Sequence, residues 1–74
     1  MMVDKPVRAG RWRHFKGGLY EVLTEAQHTE REERLVVYRS LENGAIYARP
    51  KSMFLEWVRH EGRLMARFAP LEEE

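Results

Sequence analysis

Apolar and polar residues along this chain alternate with a period of two, in short runs closed by glycine, proline or a dense polar cluster. Arg11 to Lys16 alternates well enough for a short strand, and Gly17-Gly18 supplies the positive φ of a tight turn. Leu19 to Gln27 follows, with Tyr20, Val22, Thr24 and Ala26 on one face. That face is the inward one, because Glu21 and Glu25 stand on the other. The polar run His28 to Arg34 has no apolar face to dock a helix, so it is read as a hairpin loop with charged strand ends. Leu35-Val36-Val37-Tyr38, apolar on both faces and rich in β-branched and aromatic side chains, is expected to be the central strand.

Asn43-Gly44 predicts a type I′ hairpin leading into Ala45 to Arg49, and Pro50 ends that strand by removing a ladder donor. Lys51-Ser52-Met53 is expected to form a tight turn or one helical turn. Residues 54–58 fit both periods, and the extended reading is preferred. His60-Glu61-Gly62 makes the last turn, and Leu64 to Phe68 the last strand, with Pro70 beyond it. Five or six short strands joined hairpin by hairpin predict an all-β, antiparallel meander. Curling it into a small SH3-like barrel is the economical way to remove exposed edges.

Length bounds what this fold can do. With 74 residues the chain is one domain. A chain this short buries only about 60% of its unfolded surface, so a shallow site is expected rather than a deep cleft. The expected organisation is a flexible lead-in over residues 1–9, one domain over 10–69 and an acidic tail over 70–74. There is no cysteine, hence no disulfide and no thiolate metal site. Met1 to Pro6 has no apolar leader and no apolar run reaches membrane-spanning length, so a soluble, cytoplasmic protein without membrane contact is expected.

The 13 basic and 12 acidic residues nearly cancel, but their placement does not. Lys5, Arg8, Arg11, Arg13 and Lys16 face a single acid, Asp4, near the start, and Glu72-Glu73-Glu74 closes the chain. Arg11, Arg13 and Lys16 interleave with Trp12, His14 and Phe15, the composition of a single-stranded nucleic-acid surface. A core of this size nevertheless claims most of the eight aromatic side chains. His14, His28 and His60 lie in separate segments, so neither metal nor cofactor is expected. Ser40 and Ser52 lack a nucleophile context. Pairing of His28 with Glu30 or Glu33 suggests acid–base chemistry, which leaves a minor enzyme using His28 and Glu30 as an alternative reading. Arg39 and Arg49 sit on apolar strands, where each requires a carboxylate partner or an anionic ligand.

Gly10-Arg11-Trp12-Arg13-His14-Phe15-Lys16-Gly17, Tyr20-Glu21-Val22, His28-Thr29-Glu30, Val36 to Leu41, Arg49-Pro50 with Met53-Phe54, and Arg67-Phe68 together resemble a small bacterial domain-of-unknown-function family, number sixteen fifty-three. The resemblance covers about residues 10–69 and implies a free-standing small β-protein with no assigned activity. The chain departs from the pattern at Ala48, where the family has a larger residue before Arg-Pro, and at Ala66, where a proline often precedes Arg-Phe. The family's patterned polar residues map onto His14, Lys16, His28, Glu30, Tyr38 and Arg49, which the resemblance marks as a ligand-facing cluster. The resulting expectation is a binding module for a small anionic or polar ligand or a peptide, with single-stranded nucleic acid as the alternative. It would be a monomer or weak homodimer, any self-association burying Trp12, Trp57 or Tyr47.

Overall fold

Among the described residues the alternation of the sequence is realised as seven antiparallel strands and one helical turn. They are β1 (Gly10–His14), β2 (Leu19–Gln27), β3 (Arg34–Ser40), β4 (Ile46–Pro50), α1 (Lys51–Phe54), β5 (Trp57–His60), β6 (Arg63–Ala66) and β7 (Phe68–Pro70). The computed structural model describes residues 6–71. Residues 1–5 of the expected lead-in and Glu72–Glu74 of the expected acidic tail lie outside the described residues. Within the lead-in, the Val7 amide donates to the Glu25 carboxylate and the Arg8 carbonyl accepts from Trp12 Nε1 at 2.9 Å.

Five strands form one sheet in the order β4-β3-β2-β1-β7, while β5 and β6 pair only with each other. The strand of residues 35–38 is therefore flanked by β2 and β4, and β2 takes the centre. No ladder joins β4 to β7 among the described residues, so the sheet is open and the expected closed barrel does not form. Phe54, at the end of α1, is fully buried against this sheet. Its ring stacks on Phe68 at 4.1 Å and meets Trp12 and Tyr38 edgewise or tilted at 5.2 and 5.4 Å. Trp12, Val22, Val36, Tyr38, Phe54 and Phe68 make the core.

The expected last strand is split at Arg67. Its amide donates to the Glu56 carbonyl and its carbonyl accepts from Phe15, so the chain steps from the small hairpin to the main sheet there. Residues 54–58 are divided, with Phe54 ending α1 and Trp57 opening β5. The face assignment of β2 changes at Leu23. Val22 pairs with Tyr38 but Thr24 pairs with Val37, a bulge that inserts one residue and inverts the side-chain phase beyond it. Tyr20 and Val22 point inward as expected, but Glu25 rather than Thr24 or Ala26 then faces Val36 and the core side.

The turns also exchange roles. Asn43 does not take a positive φ, because Ser40 Oγ accepts from the amides of Glu42 and Asn43 at 3.2 and 3.3 Å and winds residues 40–44 into a longer loop. The two-residue type I′ geometry lies instead at Glu61 (φ 52°) and Gly62 (φ 77°), between the paired residues His60 and Arg63.

Candidate functional site

At the end of the main sheet nearest the β1–β2 turn lies a cavity of about 140 Å³ lined by His14, Tyr20, Tyr38, Tyr47, Arg49 and Phe68. Strand periodicity and register assemble it. Tyr38 stands directly opposite Tyr47, and His14 directly opposite Phe68. Arg49 lies two residues from Tyr47 on the same face of β4, opposite Val36. Tyr20 reaches Tyr38 from the neighbouring strand, ring to ring at 5.4 Å. Its ring also explains the second glycine of the Gly17-Gly18 pair, since a Cβ on Gly18 would stand 3.1 Å from Tyr20 Cε1.

Phe68 and Tyr38 are buried and form the floor, His14, Tyr20 and Arg49 are half-buried, and Tyr47 stands at the exposed rim. Arg49 Nε donates to the Tyr38 hydroxyl at 3.1 Å, and its guanidinium carbon lies 5.8 Å from the Phe68 ring centre. Arg39 meets the carboxylate expected of such a residue, pairing with Glu21. Arg49 has no carboxylate partner among the described residues; the Tyr38 hydroxyl and the Phe68 ring hold it.

His14 sits beside this cation as a neutral imidazole. Burial first, then the charges of Arg49, Arg67 and Lys16, push its pKa below the usual 6.5. Its Nδ1 accepts the Lys16 amide at 3.1 Å, which leaves the ring proton on Nε2. The lining therefore offers a guanidinium, a neutral N–H donor, three phenol hydroxyls and aromatic walls, and it contains no acid.

Of the six residues marked by the family resemblance, the structure brings His14, Tyr38 and Arg49 together and leaves the others elsewhere. Lys16 lies two residues from His14, but its ammonium sits 5.8 Å from the Phe15 ring centre and it is not among the lining residues. His28 and Glu30 line a different surface depression, with Gln27, Thr29, Arg31 and Glu32. That depression is at the far end of β2, roughly 20–25 Å from Tyr20 at about 3.3 Å per residue, so the six do not share one small-molecule pocket. Glu30 meets His28 through its backbone amide, which donates to Nδ1 at 3.1 Å, and not through its carboxylate. Among the described residues no three His, Asp or Glu side chains gather as metal ligands, and no helix is long and apolar enough to cross a membrane.

Tyr20, Tyr47 and Phe68 join this lining without having been singled out as ligand-facing by the sequence. One signal in the chain points to Tyr47, which is two residues from Arg49 and therefore shares its face of β4; its place opposite Tyr38 follows from the longer 41–44 loop and is not legible in the chain.

These features define a small all-β domain with an open antiparallel sheet and a cationic, aromatic-walled cavity on the face that carries the core. The chain belongs to the family described as Protein of unknown function (DUF1653), whose model matches residues 10–70. Its fold is similar to the crystal structure of a protein belonging to DUF1653 from Bordetella bronchiseptica, which is 32% identical. That likeness covers 88% of this chain and 87% of that one, with a TM-score of 0.81. No curated protein matches the chain.

Proposed function

We propose that this domain is a binding module for a small anion, taken up in the cavity between His14, Tyr47 and Arg49. The observation that carries the reading is Arg49: a half-buried guanidinium on the lining, held in place by a hydroxyl and a ring, with no carboxylate partner among the described residues. A cation so placed is stabilised when an anion enters. The same charge rejects cationic ligands, so the aromatic walls do not act as an ammonium cage.

The cavity is well below the roughly 300 Å³ at which pockets enclose a drug-sized ligand, which suits one head group. A strand-tracking nucleic-acid surface fits less well. Trp12, Tyr38, Phe54 and Phe68 are buried, and the exposed aromatics Tyr47 and Trp57 stand on different sheets. An acid–base enzyme is disfavoured by the separation of His28 from the cationic lining.

The test is a titration of the protein with acetate, benzoate, phosphate and sulfate, followed by backbone amide correlation spectra. The expected result is saturable shifts that map to residues 14, 20, 38, 47, 49 and 68 and weaken about tenfold or more in Arg49→Gln, the loss of one charge-assisted hydrogen bond. Shifts confined to residues 27–32, or undiminished in the variant, would refute the reading.

A further inference from the structure

We infer that the anion this cavity takes is a monocarboxylate carried on a single planar ring, a reading that rests on the anion-binding function proposed above. Four features of the lining converge on that class.

The first is the part of Arg49 that is left open. Its Nε is already committed to the Tyr38 hydroxyl at 3.1 Å, so the side-on fork of Nε with one Nη is occupied. What remains is the end-on pair of Nη groups, whose two parallel donors match the two oxygens of a carboxylate. The second is charge. Among the described residues Arg49 is the only formally charged group on the lining; Arg67, whose charge also reaches His14, is paired with Glu56, and Lys16 lies outside the lining, so the lining itself is balanced by a monoanion.

The third is the wall. Tyr20, Tyr38 and Phe68 lie 5.4–5.6 Å apart, ring to ring and nearly perpendicular, and Tyr47 adds a tilted ring 5.7 Å from Tyr38. Ring faces carry negative quadrupole charge and repel anionic oxygens, yet they accept another ring edgewise or offset. The carboxylate therefore belongs at the Arg49 end and the planar body among the rings. The fourth is size. At about 140 Å³ the cavity is close to the roughly 150 Å³ that accommodates one benzene ring.

The test compares benzoate with benzamide, cyclohexanecarboxylate and inorganic phosphate by calorimetry and by the same amide spectra. Benzoate is expected to bind saturably at the cavity residues. Benzamide, which keeps the ring and loses the charge, should bind at least about tenfold more weakly. Cyclohexanecarboxylate, which keeps the charge and loses the planar ring, should also be weaker, as should phosphate. Arg49→Lys should lose most of the benzoate affinity, because an ammonium keeps the charge but not the fork. Tyr47→Ala, at the exposed rim, should weaken benzoate with the fold intact and serves if an Arg49 variant fails to fold.

Phosphate or cyclohexanecarboxylate binding as tightly as benzoate at these residues would overturn the ring-monocarboxylate class and leave the anion pocket standing. Equal affinity for benzamide would overturn this inference. Absence of binding by every anion at millimolar concentration would overturn both readings.

Discussion

Replacing Glu25 by Gln isolates the consequence of the bulge at Leu23. The inserted residue turns Glu25 toward the core side, where its carboxylate accepts from the Val7 amide, from Arg34 at 3.2 Å and from Lys51 at 3.1 Å. The Glu25 and Lys51 side chains are only 9% and 8% exposed. Gln keeps the size and an acceptor oxygen but withdraws the charge from two cations, one of them buried. Breaking a buried pair costs about 3–5 kcal/mol. Solvent borders this pair through the half-exposed Arg34, so we take about 2–3 kcal/mol. Against a total of roughly 4–11 kcal/mol for a chain of this length, that is a large share.

The assay is urea unfolding followed by circular dichroism. At an m-value of about 1 kcal/mol/M the midpoint should fall by about 2–3 M. Its pH dependence gives a second signature. Burial alone would raise the Glu25 pKa, but the Val7, Lys51 and Arg34 hydrogen bonds outweigh it and hold the pKa below the usual 4.5. The folded state thus binds this proton less readily than the unfolded chain. The stabilisation is complete above the unfolded value and is lost as pH falls through the lowered one. The gap between wild type and Glu25→Gln should therefore be widest at neutral pH and close as pH drops below 4.5. A variant within about 0.5 kcal/mol of wild type at neutral pH, or a gap that persists at low pH, would refute the reasoning.

Two further outcomes follow from the turns and the pocket. Glu61→Asn should stabilise the domain by about 0.5–1 kcal/mol, because Glu61 holds φ at 52° in a type I′ turn that Asn adopts more readily. It forfeits only an exposed contact to His60, and a melting temperature that falls would count against the turn assignment. The His14 ring should titrate below 6.5 in proton spectra, its folded-state stabilisation being lost as pH falls below that value, and Arg49→Gln should move the midpoint upward; an unmoved midpoint would show that Arg49 does not act on His14.

The cavity was half legible in the chain. Arg49 stood out as a cation on an apolar strand, and the resemblance marked it with His14 and Tyr38, which share the lining. His28 and Glu30 carried the same kind of polar signal, yet the length of β2 sets them at its other end. Tyr20, Tyr47 and Phe68 could not be separated from core aromatics by composition, because a half-buried wall and a buried floor call for the same side chains.

By itself the sequence determined what is local. Period-two alternation made strands, Gly-rich pairs and Asn43-Gly44 placed turns, and Pro50 ended β4 before a single helical turn. The tertiary structure decided what depends on partners across the sheet. A bulge is detected only against its neighbour, so the inversion at Leu23 and the inward turn of Glu25 lie outside the alternation. Sheet closure was decided by packing: Phe54 stacks on Phe68, β5 pairs with β6 alone, and the sheet stays open. Whether Arg49 meets an acid was likewise a matter of register, since β3 gives Arg39 to Glu21 and β4 sets Arg49 opposite Val36.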